Sequence, residues 1–426
     1  MELLCALAGN PERCAPSIHI AGSKGKGSVT GMITAALEAD GFRTARYMSP
    51  HVSDIRERLC VGNSFFDEAV YCAAGDELRN VAEVLLPERN SPLFDPSCAD
   101  GEAPTYFELL TLLFFLCARR AGCDAMVVET GMGGRLDSTN VVNPLVSVIT
   151  IIELEHTKYL GDTIAKIAGE KAGIIKPGRP LVLAKQCGEA LEVFKQKAAE
   201  KNSPLVYIPD SVQISDLHVH SGGTDFTLAA GQTLFKQPLK LSIGIPGVVQ
   251  AENAALAVAA LKTAFPGMRD DSIRRGLENF RIPARFEKIA DNPPLIIDGA
   301  HTPQSAALCA ETFCSLYGKG GVLLFGCAAD KNAHAMAEVL LPCFSVIVIT
   351  APGTFKASDP EKVYGAFCDV VSANADGTHS DVKIILEKDT GAAIQRALEL
   401  SRTGNLPGLV TGSFYLAAEA RNFIEG

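Results

Sequence analysis

Between Ile18 and Ser28 the chain reads IHIAGSKGKGS, an apolar run that meets three glycines, Gly22, Gly25 and Gly27, around Lys26. Glycines so spaced let backbone amides crowd around an anion. The helical pattern that follows, VTGMITAALEADG, adds the positive end of a helix. Lys26 supplies an ammonium on a flexible stem that can reach the terminal phosphates of a nucleotide. The segment reads as a phosphate cradle. Gly27 stands directly after the lysine, where the usual nucleotide-binding loop has a Ser or Thr for Mg²⁺. A metal must therefore take its ligands from elsewhere. Ser49 in YMSPH, Glu129 closing AMVVE and His156 following VSVITII all come after extended runs. Open α/β sheets gather ligands at such strand ends, and a hydroxyl, a carboxylate and an imidazole could meet there on one Mg²⁺ with phosphate oxygens. His218 and His220, two apart on a strand-like stretch, carry little weight as a metal pair.

Ser17–Ala21, Ala125–Val128, Val146–Ile151 and Leu181–Leu183 are short β-branched or apolar runs separated by helical patterns. Such alternation predicts an α/β fold built on a mostly parallel, P-loop-type sheet covered on both faces. From about 204 to 247 the texture changes to short alternating segments broken by GG and GQ (Gly231-Gln232), which predicts a small antiparallel sheet. Alanine-rich helical periodicity returns at Asn253–Thr263. A proline joint at Ile282–Arg285 then precedes the runs PLIIDGAH, VLLFGC, VIVITA and GLVTGS. We expect a nucleotide-binding domain over 1–284 and a smaller C-terminal Rossmann-like α/β domain over 285–426.

With 49 acidic against 39 basic residues in 426, the net charge is −10, and no Lys/Arg block supplies the surface that duplex nucleic acid requires. Hydrophobic residues at 47% exclude disorder of the whole chain. Thirteen cysteines, an odd number without a C-x-x-C pair, argue for reduced, mostly buried thiols rather than a disulfide framework. The N-terminal segment MELLCALAGNPERC has no signal-peptide pattern, so a cytoplasmic location is expected. The most apolar stretch, LLTLLFFLCA at Leu109–Ala118, is well short of the ~20 residues a bilayer crossing needs and reads as a buried helix.

In order along the chain stand GSKGKGS, MSPH, PTYFELLT, ETGMGGRLDSTN, ELEHTKYLGDTIAKIAGEKAGIIKPG, QAENAALA, PARFE, DGAHTP, DKN and GSFYLAAEAR. Together they resemble the folylpolyglutamate synthase and dihydrofolate synthase family of the Mur ligase superfamily, over nearly the whole chain. The resemblance implies an ATP-dependent ligase that adds L-glutamate to dihydropteroate or a folate through an acyl phosphate. By the same resemblance Gly25, Lys26, Gly27 and Ser28, with Gly22, cradle phosphates. Ser49, Glu129 and His156 match magnesium ligands. Lys171 matches a lysine that becomes N-carbamylated and holds a second Mg²⁺. Gln250, Asn253, Arg285, Asp298 and His301 match the ATP site, and Lys26, His156, Lys171 and Arg285 are the catalytic candidates. Lys331 matches a phosphate-contacting position, and Ser413 and Tyr415 fall in the C-terminal GSFY motif, matched to glutamate or nucleotide. Thr105, Phe107 and Asp137 match positions that hold a pterin, which implies dihydropteroate as an acceptor. The second domain is expected to close over the nucleotide, and small-molecule partners and a monomer are expected.

The chain departs from the family pattern at several places. Lys24 replaces Asn, Glu153 and Glu155 replace Gly and Asp, Val249 replaces His, Ala284 replaces Gly, Thr302 replaces Asn and Asn332 replaces Asp. Family members usually carry further helical residues ahead of Gly9-Asn10-Pro11, so a trimmed start is expected. Two other functions stay open at this level: a polyglutamylase that does not use dihydropteroate, and a non-catalytic nucleotide- or folate-binding module.

Overall fold

The computed structural model describes residues 1–85, 103–230, 234–235, 237–353, 357–373 and 381–425. The Gly231-Gln232 turn expected from the sequence lies outside them. The chain divides into two compact units, one formed by Met1–Leu217, Asp225–Ile243 and Val249–Phe280, the other by His218–Thr224, Gly244–Val248 and Arg281–Gly426.

The first unit is built on eight strands, in chain order β1 (Ser17–Ala21), β2 (Thr44–Tyr47), β3 (Leu59–Val61), β4 (Ser64–Phe65), β5 (Ala125–Glu129), β6 (Val146–Ile149), β7 (Leu181–Leu183) and β8 (Leu205–Tyr207). They lie in the order β4-β3-β2-β5-β1-β6-β7-β8, parallel except for the β3–β4 edge. β1 and β5 are buried along their whole length, as central strands covered on both faces must be. Register pairs Ile20 with Glu129 and Ala21 with Ile149, so the carboxyl ends of β5, β1 and β6 come level. The helix Tyr106–Arg120 packs Leu112, Phe114 and Phe115 into the core with no exposed surface, as its apolar pattern predicts.

The small sheet contains β9 (Val212–His220), β10 (Gly223–Ala230) and β11 (Leu239–Ile243) in the order β11-β10-β9. One expectation is corrected here. Leu205–Tyr207 does not open the small sheet but pairs in parallel with β7 as the last strand of the large one. Its three residues are too few for a periodicity to tell a change of sheet from continuity.

The second unit carries a six-stranded sheet, β12 (Glu287–Asp291), β13 (Pro294–Ile297), β14 (Gly321–Phe325), β15 (Phe344–Ile349), β16 (Lys383–Leu386) and β17 (Gly408–Thr411). Their order is β12-β13-β17-β14-β15-β16, with β12 alone antiparallel. Among the described residues twelve cysteines are free, and no helix is long and apolar enough to cross a membrane.

Candidate active site

The turn after β1 delivers Gly22 at φ +148° and Gly25 at φ +85°. Any Cβ at Gly22 would lie 1.7 Å from Thr150 Oγ1, and one at Gly25 would lie 2.5 Å from Asn253 Oδ1. Glycine is thus required at both by conformation and by space. Gly25 is also the N-cap of the helix Lys26–Ala39, and it has no side chain with which to cap the first amides. That helix start keeps its positive end for an anion. Asn253, held by its own bond to Gln250 Oε1 at 3.3 Å, packs on the turn, so these two expected nucleotide residues meet the cradle within the first unit.

Two lysines converge on one carbonyl. Lys26 Nζ donates to Gly22 O at 3.0 Å, and Lys171 Nζ donates to the same oxygen at 2.7 Å. Lys171 is 2% exposed and also pairs with Glu155 Oε1 at 3.0 Å. Burial, followed by repulsion from Lys26, lowers the Lys171 pKa to about 8 against the pull of Glu155. Burial works to raise the Glu155 carboxyl, but Lys26, Lys171 and Lys24 together outweigh it and hold it below the usual range. The longer side chain at Glu155, a departure from the family pattern, is therefore what reaches the buried ammonium.

Glu129 ends β5 with 3% exposure, Ser49 follows β2, and His156 sits exposed at φ +48° ahead of the helical turn Thr157–Leu160. β2, β5, β1 and β6 are neighbours, so the three expected metal ligands follow strands that end along one edge of the sheet. Two oxygen donors and one nitrogen, completed by phosphate oxygens, suit Mg²⁺. Among the described residues no three His, Cys, Asp or Glu side chains gather into a protein-only metal cluster. Lys171, expected as a carbamylated metal ligand, is buried at the glycine turn and donates to Gly22 O and Glu155 Oε1.

The acceptor-side residues are placed unequally. Thr105 caps the helix Tyr106–Arg120, its hydroxyl and amide tied to Glu108 in a capping box. Asp137 accepts from Thr139 N at 3.0 Å and Thr139 Oγ1 at 2.5 Å on one oxygen, and from Met132 N at 2.9 Å on the other. Burial raises its pKa against these bonds. Both residues are thus committed within their own loops. Phe107 is half-buried, its ring lying where a Cβ on Gly131 would come within 2.4 Å, and 5.9 Å from the Tyr47 ring.

In the second unit Arg285, Asp298 and His301 form a cluster around Phe414, which sequence reasoning passed over. The Arg285 guanidinium lies 4.5 Å over the Phe414 ring and the His301 ring 5.9 Å from it. Arg285 is flanked by two non-glycine residues at positive φ, Ala284 at +54° and Phe286 at +46°. Asp298 holds this bend by accepting from Phe286 N at 2.7 Å and Ala300 N at 2.8 Å. Burial raises the Asp298 pKa, with Arg285 opposing. Ser413 Oγ accepts from Tyr415 N at 3.1 Å, Thr302 caps the helix Pro303–Tyr317, and Asn332 caps Ala333–Leu340. Lys331 lies 3.5 Å from Asp330.

Residues 95–261 match the Mur ligase middle domain and residues 284–414 the Mur ligase glutamate ligase domain. Folylpolyglutamate synthase of Lacticaseibacillus casei is 32% identical over 434 residues, covering 100% of this chain and 94% of the relative. The chain belongs to the folylpolyglutamate synthase family. A probable bifunctional folylpolyglutamate synthase/dihydropteroate synthase of Haloferax volcanii is 34% identical over 97% of this chain, which spans 46% of that longer protein. A crystal structure of Mycobacterium tuberculosis folylpolyglutamate synthase, complexed with ADP and AMPPCP, superposes with a TM-score of 0.87 at 29% identity, covering 100% of this chain and 94% of that one. Membership makes the chain an ATP-dependent ligase of the Mur type.

Proposed function

We propose that the chain joins L-glutamate to the carboxylate of a folate, and of dihydropteroate, through an acyl phosphate. The observation that carries the reading is the uncapped helix start at Gly25 beside two lysines on Gly22 O, at the carboxyl end of β1, next to the strand ending in Glu129 and to the strands that lead into Ser49 and His156. A carboxylate is a poor electrophile, so one of its oxygens first attacks the γ-phosphorus and ADP leaves. The glutamate amine then attacks the acyl carbon, the C–O bond to phosphate breaks, and the amine gives up a proton as the amide forms.

In this reading the amides of Gly25–Ser28 and the Lys26 ammonium hold the phosphates, and Lys26 leaves Gly22 O to reach them. Arg285, set on its strained bend over Phe414 within the second unit, carries a guanidinium of the kind that pairs with phosphate oxygens. Ser49, Glu129 and His156 would hold Mg²⁺, which neutralises charge on the phosphoryl group when bound. Lys171 would become a further ligand only as a carbamate. Its pKa of about 8 gives the neutral amine that CO₂ requires, but the bonds to Gly22 O and Glu155 must be released first. Phe107 offers an aromatic face for the pterin, while Thr105 and Asp137 shape the loops on either side of it.

The test is product analysis by mass spectrometry with ATP, Mg²⁺, glutamate and either dihydropteroate or tetrahydrofolate. Glutamylation of both is expected. Turnover of tetrahydrofolate alone removes the dihydropteroate part, and turnover of neither removes the whole reading.

A further inference from the structure

His19 occupies the middle of β1, between β5 and β6, with no exposed surface. A buried imidazole in an apolar strand is costly unless hydrogen-bonded, and nothing in the ligase chemistry above uses it. Its Nε2 lies 2.8 Å from Thr139 Oγ1, while its Nδ1 has no hydrogen-bond partner. Thr139 is equally buried, and its hydroxyl donates to Asp137 Oδ1 at 2.5 Å. A hydroxyl has one proton to give. With that proton on the Asp137 side, Nε2 must be the donor to Thr139, which assigns the Nε2–H tautomer from the network. Asp137 passes the constraint on by accepting from Met132 N at 2.9 Å. The chain of donors therefore runs from the centre of the sheet to the backbone of the loop Gly131–Asp137, and Gly131 is the surface on which the Phe107 ring rests.

We propose that His19 and Thr139 are positioning residues that set the Gly131–Asp137 loop against Phe107 and thereby tune affinity for the pterin-bearing acceptor. This rests on the reading of Phe107 as an acceptor-binding group. The acceptor's aromatic ring is held by the shape of this loop, which is tied to the core through Thr139 and Asp137 and to Glu170 through Arg135. Burial keeps the imidazole neutral, with its pKa lowered to about 3, so the donor pattern persists across the working pH range.

The experiment measures KM for tetrahydrofolate, KM for ATP and kcat for the full chain carrying Thr139→Val, Thr139→Ser, His19→Met or His19→Gln, with thermal unfolding of each. Thr139→Val and His19→Met remove a donor; Thr139→Ser keeps the hydroxyl, and the Gln amide places an N–H where Nε2 stood. Loss of a bond in a chain that ends on a carboxylate predicts a rise in acceptor KM of about tenfold. The KM for ATP should stay within about twofold, and the two conservative variants should restore the acceptor KM. An equal rise in both KM values, or a defect that Thr139→Ser and His19→Gln do not rescue, overturns the proposal. If Thr139→Val does not fold, the His19 pair gives the same split. Phe107→Ala separates the two levels. An unchanged acceptor KM there sinks the reading of Phe107 and the proposal with it. A raised one beside an unaffected Thr139→Val and His19→Met sinks the proposal alone.

Discussion

Lys171→Met should abolish a pH dependence of stability that the unsubstituted chain carries between pH 8 and 10.5. The folded-state pKa of Lys171 is about 8 against an ordinary value of 10.5, with burial the largest cause and Lys26 the next. That depression amounts to about 3 kcal/mol of penalty on the charged form. Below pH 8 both states hold the proton and the folded state bears the full penalty. Between pH 8 and 10.5 the unfolded chain binds more protons, so this group makes stability rise with pH, and beyond 10.5 its penalty is gone.

Cys5, Cys117 and Cys123 act in the opposite sense. Burial pushes each thiol from 9.0 up to about 12, so their contribution falls as pH rises through that span. They are common to both proteins and cancel in the difference. Glu155 does not become an isolated buried charge in the variant, because Lys26 remains beside it. The assay is guanidinium denaturation of nucleotide-free protein in EDTA at several pH values. The stability of Lys171→Met relative to the unsubstituted chain should fall by about 3 kcal/mol from pH 7 to pH 10.5. A difference that is flat across that range would refute the buried, depressed ammonium.

Three further outcomes follow from the same geometry. Lys26→Ala should lower kcat/KM for glutamylation about a hundredfold or more, read by coupled ADP release, because it removes the cation that reaches over to the transferring phosphates. Gly25→Ala forces a side chain into φ +85° and to within 2.5 Å of Asn253 Oδ1, so it should cost about 1–3 kcal/mol in chemical denaturation and weaken ATP binding measured by calorimetry. Ala284→Gly should do the reverse for stability. Ala284 sits buried at φ +54°, and relief of that conformation is worth about 1 kcal/mol, seen as a higher Tm.

The central strands were legible because they are buried on both faces and read as unbroken apolar runs; β1, β5, β6 and β7 fall within a residue or two of expectation. Edge strands were not. β12 reads EKIAD and β16 reads KIIL after a charged lead, and neither alternates long enough to announce itself. At the site, the glycine turn was legible because its conformational demand is local to Gly22 and Gly25. The Lys171–Glu155 pair was not, since nothing in IAGEKAG says that this lysine, rather than Lys166, is the buried one. The same holds for His19, whose hydrogen-bond partner lies 120 residues away. A family motif singled out Thr105 and Asp137 for the acceptor, but the bonds their polar atoms make to Glu108, Met132 and Thr139 could not be read from it.

The account stands on transfer of phosphate to the acceptor carboxylate before the amine attacks. Tetrahydrofolate labelled with oxygen-18 in its glutamate carboxylates tests this directly, by mass analysis of the inorganic phosphate released during turnover with ATP and glutamate. Passage of one labelled oxygen from the reacting carboxylate into phosphate is the predicted result. Glutamylated product accompanied by unlabelled phosphate would contradict it.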